Sequence, residues 1–317
     1  MSVARTGQEG FRAEAAEPGA DLQVSVVIPH YGDPAPTLRL IAALRAQEPQ
    51  APKRIVVSDD ASPVPFPPTA GVEVVYRVTN GGFGSAVNSG MELVETPLAL
   101  VLNTDLVVGK NFVRDLVEAA TPWQPALVSP QLHDSGGAPQ WVGRHFPTVA
   151  HQAVEWLAPL ARFRHFDVLH EAVGHDAACT DGAVVPVDWV VGAAMLLPVA
   201  EFRAVGGFDE RFFMNVEEVD LQRRLRARGV PSIFVGTVSA VHEGGASSDP
   251  GLRREWLVSA RLIYARKWGG ERKLRAALTA ASIVNAGANA LRQILGRDVS
   301  ALAVFRRELG YVRRQAR

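Results

Sequence analysis

A single cysteine, Cys179, excludes an internal disulfide and suits a reducing compartment. The first 22 residues lack an apolar h-region, so they do not read as a secretory signal and are expected to be disordered. No run reaches the roughly 18 to 20 apolar residues that a membrane span needs; residues 276–291 are uncharged but diluted by Thr, Ser, Asn and Gly. Nor does any glycine cluster fit the GxGxxG register of a dinucleotide site. The expectation is a cytoplasmic protein, soluble or peripheral.

With 317 residues, 47% of them hydrophobic, the chain is long enough to bury a large core. Net formal charge is zero but unevenly spread: residues 251–317 hold 15 Lys or Arg against 4 Asp or Glu. A basic tail on an otherwise acidic chain points to an anionic surface partner, membrane lipid or nucleic acid. Nucleic acid fits poorly, because aromatic residues do not interleave with the basic ones as stacking platforms.

Residues 206–229, GGFDERFFMNVEEVDLQRRLRARG, organise the rest. Gly206 and Gly207 mark a turn, Phe208, Phe212 and Phe213 are anchors, and Leu221 and Leu225 repeat at helical spacing toward Gly229. Glu217, Glu218 and Asp220 therefore sit at a helix start, where they either complement the exposed N–H groups or form a general base beside a positioning acid.

The N-terminal part alternates strand and helix. Residues 24–28 are a β-branched run, 37–46 repeat at helical spacing, and 54–58 form a second strand ending in Asp59-Asp60-Ala61-Ser62-Pro63. Open α/β sheets bind ligands at such carboxyl ends, although DDASP is also ordinary turn chemistry. After a third strand at 72–77 comes Asn80-Gly81-Gly82-Phe83-Gly84-Ser85, either a tight turn or a loop whose following helix, opening near Ser85, offers free N–H groups to a phosphate. Residues 97–102 are the most apolar strand, and Asn103-Thr104-Asp105 follows directly. An acid there suits a hard divalent cation bridging a diphosphate, with a helix cap as the alternative. Helix and strand follow at 109–130, and residues 131–186 lose periodicity. His165, His170 and His175, five apart, point in divergent directions on a helix, so a variable substrate loop is read there rather than a metal cluster. Asp188-Trp189 leads an apolar strand at 190–197; the Trp either stacks on a sugar face or belongs to the core. A last strand at 232–235 precedes His242, a lone histidine. Residues 253–317 read as helices with Leu, Val, Ile and Ala on one side and Arg on the other, able to close a site, form a homo-oligomer or lie on a membrane.

The GGFDE, FF, EE, DL run resembles the acceptor-side signature of family 2 (GT-A fold) glycosyltransferases, especially the bacterial rhamnosyltransferase-like branch. Linked motifs in the same order carry that resemblance over residues 24–268: NGGFG with Asn88-Ser89-Gly90, Asn-x-Asp, Arg-x-Phe-Pro from Arg144, and DWVVGAAMLL. The resemblance implies an α/β fold with a Rossmann-like mixed sheet of GT-A type, spanning 23–250, and a helical C-terminal extension over 251–317. It also implies that Glu218 is the catalytic base, with Glu217 and Asp220 beside it; the family more often has Glu-Asp where this chain has Glu-Glu. The donor nucleotide is expected at Pro29, Tyr31, Asp59, Asp60, Asn80, Gly81, Asn88 and Thr104, and the acceptor at Asp188, Trp189 and Arg144. A divalent cation, Mg²⁺ or Mn²⁺, is expected on Asp105 and His242. The Gln-x-x-Arg-Trp element of processive relatives is absent, which favours single-sugar transfer. The implied reaction is inverting transfer of one sugar, L-rhamnose from dTDP-rhamnose as first choice, to a lipid-linked or cell-envelope glycan at the inner face of the membrane. The alternative is an inactive nucleotide-sugar-binding or membrane-surface scaffold protein.

Overall fold

A computed structural model of the chain describes residues 23–163, 166–244 and 250–314. The N-terminal 22 residues and His165 lie outside the described residues. In chain order the elements are β1 (Val24–His30), α1 (Pro34–Arg45), β2 (Arg54–Asp59), β3 (Glu73–Tyr76), α2 (Phe83–Met91), β4 (Leu98–Leu102), β5 (Leu106–Val107), α3 (Phe112–Ala120), β6 (Leu127–His133), β7 (Gly143–Arg144), α4 (Val149–Trp156) and α5 (Asp167–Ala172). There follow β8 (Val184–Val187), β9 (Trp189–Val190), β10 (Ala194–Pro198), α6 (Val199–Ala204), α7 (Glu217–Arg226), β11 (Ser232–His242), α8 (Pro250–Trp268), α9 (Glu271–Ile294) and α10 (Ala301–Arg313).

The main sheet runs β3-β2-β1-β4-β10-β6-β11-β5, with β8 also paired to β11. It is mixed: β3, β2, β1 and β4 are parallel, whereas β10 is antiparallel to both β4 and β6. The central strands are almost continuous runs of Val, Leu, Ile and Ala because both faces are covered; Val26, Val27, Leu100, Val101 and Leu196 are all buried. Each such side chain contributes roughly 1.5–3 kcal/mol by leaving water. Asp33 caps α1 by accepting from the Ala35 amide, and Pro34 supplies the fixed φ of a first helical residue.

Register decides which loops meet. His30 lies opposite Asp59, so the carboxyl ends of β1 and β2 open side by side. At the other edge β11 extends far beyond the four residues expected, shifts register between Val235 and Ser239, and pairs His242 with Leu106. The single strand expected at 190–197 is two, β9 and β10, separated at Gly192. The loose stretch after 131 contains β7, which pairs with β9 in a small second sheet, and α4, which packs on α9.

The C-terminal helices pack against the rest through two further clusters. Trp156 of α4 sits with Val258, Leu262, Leu274, Leu278 and Val312, and Trp189, Phe212 and Val219 sit with Ile263 and Tyr264 of α8. Among the described residues no helix is long and apolar enough to cross a membrane.

Candidate active site

At the carboxyl ends of β1 and β2, Asp59 and Asp60 act on their own loops. The Asp59 carboxylate accepts from the backbone amides of Ser62 at 3.0 Å and Phe66 at 2.8 Å. Burial pushes its pKa up, but hydrogen bonds from Ser62 and Phe66 outweigh that and hold it below the usual carboxylate range. Asp60 accepts from the Arg77 Nε at 2.8 Å and from the amides of Gly81 and Gly82 at 2.9 and 2.7 Å. Asp60 thus folds the glycine-rich loop into shape. Pro29 is half-buried at the end of β1, whereas Tyr31 is 56% exposed, free to offer a ring face to a base. Asn80 is exposed and its Oδ1 accepts from the Gly82 amide at 3.2 Å. Asn88 is turned elsewhere: its amide donates to the Phe208 carbonyl at 2.9 Å and accepts from the Phe208 amide at 2.8 Å. It clamps α2 to the GGFDE turn instead of facing a ligand.

Gly82 ties the two loops together. Its φ is +85°, and a Cβ there would lie 1.7 Å from the Phe213 carbonyl oxygen. Only glycine admits that approach.

Thr104 and Asp105 occupy the turn between β4 and β5, and His242 ends β11 across from them. The Asp105 Oδ1 is 3.3 Å from the His242 Nε2. Gln140 sets the imidazole: its Nε2 donates to the His242 carbonyl at 2.8 Å, which turns its Oε1 toward the His242 Nδ1 at 2.7 Å. An amide oxygen only accepts, so Nδ1 carries a proton, and Nε2 is the ring atom turned toward Asp105. Asn103 adds an amide 3.4 Å from the same Nε2. A carboxylate, an imidazole nitrogen held facing it, and a glutamine behind the ring are a donor set suited to a divalent cation. Among the described residues one group of three has its ligating atoms within 4.8 Å of one another, His145, Glu171 and Asp176 in the 131–186 segment.

The first turn of α7 starts from Val216 in the left-handed region, φ +69°, and holds Glu217, Glu218 and Asp220. Glu217 is 3% exposed, and the Oε2 atoms of both Glu217 and Glu218 are buried without a hydrogen-bond partner. Burial, reinforced by the charge of Glu218, holds the Glu217 carboxyl well above the usual range. Burial also raises Glu218, while backbone N–H groups at the helix start and the Arg144 guanidinium pull it partly back. A Cβ on Gly192 would lie 3.6 Å from both the Glu218 Cβ and the Phe83 ring, so Glu218 stands beside the start of α2. A raised, partly desolvated carboxylate next to the glycine-rich loop can take a proton from a hydroxyl.

A family model, glycosyl transferase family 2, matches residues 25–182, about half of the chain. The chain belongs to glycosyl transferase family 2. This glycosyltransferase is 27% identical over 233 residues to the N-acetylglucosaminyl-diphospho-decaprenol L-rhamnosyltransferase of Mycobacterium tuberculosis, covering 68% of the chain and 74% of the relative. It is 29% identical over 245 residues to the validoxylamine A glucosyltransferase of Streptomyces hygroscopicus subsp. limoneus, covering 68% of the chain and 51% of that relative. The rhamnosyltransferase WbbL of Escherichia coli is 41% identical over 56 residues, 18% of the chain and 21% of WbbL. Among solved structures, GalNAc-T7 with UDP, GalNAc and Mn²⁺ superposes with a TM-score of 0.52 at 13% identity, covering 81% of the chain and 54% of that structure. The glycosyltransferase has the GT-A fold with a helical C-terminal region.

Besides Asn88, three expected site residues of the glycosyltransferase take other roles. Asp220 is 0% exposed and accepts from Arg224 at 2.8 Å, Lys267 at 2.9 Å and the Trp268 indole at 2.8 Å. Two residues beyond Glu218 is about 200° around the helix, so it faces α8 and pins it rather than serving a substrate. Asp188 accepts from Arg226 at 2.6 Å and from the Phe146 amide at 3.0 Å, which spends its carboxylate on the β7–α7 contact. Trp189 is buried, donating its indole N–H to the His145 carbonyl at 2.9 Å, and is therefore the core residue of the two alternatives. Arg144 lies over the Trp189 ring at 5.5 Å, and its charge acts on Glu218. Two contributors went unrecognised in the sequence, Gln140 and Gln222; the latter grips both the N–H and C=O of Val190 at 2.8 Å from one turn beyond Glu218. The i, i+4 spacing from Glu218 was a usable signal for Gln222.

Glu217→Gln is expected to raise the melting temperature at neutral pH by roughly 2 °C or more, because it removes a buried carboxylate that desolvation penalises. The folded pKa of Glu217 is raised, so its contribution to stability is present below the ordinary carboxylate range and is lost as pH rises through the folded value. The advantage of the amide therefore grows from acid to neutral pH. Thermal unfolding of both proteins across that range measures it; an advantage that stays flat or shrinks with rising pH would show that burial does not penalise the Glu217 carboxylate.

Proposed function

We propose that the glycosyltransferase moves one sugar, with inversion, from a nucleotide diphosphate donor to a hydroxyl of a lipid-linked or cell-envelope glycan, with dTDP-L-rhamnose as the donor. The observation that carries this reading is the Asp105–His242 approach, with the imidazole Nε2 turned toward the carboxylate and the ring held by Gln140. The Mycobacterium tuberculosis and Escherichia coli relatives, both named rhamnosyltransferases, support the choice of sugar. Asp105 and His242 would hold a divalent cation, and the imidazole among the donors favours Mn²⁺ over Mg²⁺. Such an ion, when bound, would supply positive charge against the leaving diphosphate.

The chain's own residues supply the rest. Asp60 keeps the amides of the glycine-rich loop in place beside the donor, and Tyr31 covers the base. Glu218 takes the acceptor proton, and Arg144 keeps enough of Glu218 ionised for that purpose. With a base and a direct displacement, no covalent intermediate forms. The surplus of basic residues after 250 supports attachment at the anionic inner face of the membrane, where a lipid-linked acceptor is presented.

Turnover with a panel of nucleotide sugars and a polyprenyl-diphosphate-linked acceptor tests the reading; dTDP-L-rhamnose should be consumed fastest. Asp105→Ala should weaken Mn²⁺-dependent binding of the nucleotide diphosphate by about 10- to 100-fold, measured by calorimetry with and without EDTA. Should EDTA and the substitution both leave binding and turnover intact, the cation assignment is wrong.

A further inference from the structure

We propose that the outer face of α9 seats the enzyme in the headgroup layer of an anionic bilayer. This rests on the membrane-surface reading above and deepens it by assigning the surface and adding apolar insertion to charge. Between residues 276 and 295 the helical period places Ala276, Ala280, Ile283, Val284, Leu291 and Ile294 in one arc, where the only other residues are Ala277, Gly287, Ala290 and Leu295. The large side chains of this arc are open: Ile294 is 81% and Leu295 70% exposed, with Ile283, Val284 and Leu291 also exposed.

The opposite face is buried, apolar at Leu278 and Ala281 and polar from Ser282 onward. Ser282, Asn285 and Asn289 point inward. The Ser282 Oγ accepts from the Trp156 indole at 2.8 Å, and the Asn285 amide donates to the Trp156 carbonyl at 3.0 Å while accepting from the Ala158 amide at 2.9 Å. Buried Glu308 of α10 completes this network. A helix facing water shows the reverse order, polar outside and apolar inside. The inner bonds lock the orientation, so α9 cannot rotate to hide its apolar arc. Twenty residues make that arc about 30 Å long, and it lies along the protein surface with its polar side committed to protein, which suits a helix lying in the plane of a membrane rather than across it.

Charge selects the occupant. Residues 271–314 carry nine Lys or Arg against three Asp or Glu, and Arg272, Lys273, Arg297, Arg306 and Arg307 are exposed. Ala280 and Ile283 also line a groove shared with Arg266, Arg275 and Arg313 against one acid, Glu271. A second copy of the chain would bring two cationic rims together, whereas anionic headgroups neutralise them while acyl chains receive Leu291 and Ile294. Leu302 of α10 extends the apolar surface.

The test is co-sedimentation of the full chain with phosphatidylcholine vesicles with and without phosphatidylglycerol, at low and high salt. The wild type should bind the anionic vesicles at least about tenfold more tightly than the neutral ones. The combined variant Ile283→Asp, Leu291→Asp, Ile294→Asp should lose about tenfold or more at both salt concentrations, because acidic side chains replace the inserting ones. Its three positions lie outside the core clusters, and circular dichroism with transfer to a lipid-free acceptor reports retained folding; the single variant Ile294→Glu, expected to weaken binding in the same direction, serves if the triple one does not fold. Undiminished vesicle binding by folded variants overturns the proposal. So does a wild-type dimer in light scattering that the triple variant turns into a monomer, since a second copy then covers the face. Vesicle binding that behaves as expected in an enzyme that transfers no sugar from any nucleotide would defeat the transfer reading and leave this one standing.

Discussion

Glu218→Gln should lower turnover by about 10²-fold or more while leaving donor binding close to that of the wild type. The amide is nearly isosteric, but it cannot accept the acceptor hydroxyl's proton as negative charge develops on oxygen. Local geometry favours a clean measurement: the Glu218 Oε2 has no partner to lose, and the helix start that carries it is held from outside the site by Gln222 on Val190 and by Asp220 on α8. Single-turnover rates with saturating donor, set beside calorimetric donor affinity, separate chemistry from binding. Rates like the wild type's would move the base to Glu217, whose carboxyl is raised further, or end the base assignment altogether.

Gly82→Ala should be the most damaging single methyl group in the chain. The new Cβ would stand 1.7 Å from a backbone carbonyl oxygen on a residue with φ of +85°, and neither the carbonyl of Phe213 nor the Asp60-bound amide of residue 82 can give way alone. Adding overpacking to left-handed strain costs roughly 3 kcal/mol or more. If the fold survives, the glycine-rich loop and the Phe212-Phe213 turn must part, and donor and acceptor affinities should fall together. Chemical denaturation and both Michaelis constants report this. A variant with unchanged stability and unchanged constants would mean that the two loops are not joined at this point.

Much of this architecture was readable in advance because buried parallel strands leave an unmistakable trace. Residues 24–28, 54–58 and 97–102 are apolar on both faces, and each became a strand within a residue or two of its expected limits. The helix after the glycines began at Phe83 rather than Ser85, since Gly82 already takes the capping position. What escaped was non-local. Residues 190–197 look like one strand, but Gly192 interrupts them where Glu218 and Phe83 close in, a reason visible only once α7 is placed. The 131–186 stretch has no period because its inner strand β7 is two residues long and its helix α4 answers to α9, more than a hundred positions away. Gln140 sits in that stretch with no local mark of its link to His242. Asp220 is a different case: its neighbours suggested a cluster of three acids, yet the helical period already put it on the far side from Glu218.

The bonds of Asp220 also set a timetable for synthesis. Its carboxylate is satisfied by Arg224 from its own helix, but its other partners, Lys267 and Trp268, follow 47 and 48 residues later. A ribosome adding 5–20 residues per second needs roughly 2–10 s to make that length, and the tunnel withholds the newest residues for longer still. During that interval the helix bearing Glu218 exists with an acid destined for burial that only Arg224 neutralises, and with nothing to dock its far side. Sugar transfer should therefore begin only after the eighth helix has emerged and docked, so a nascent chain stalled before residue 267 would be silent even with every residue of its donor pocket already translated.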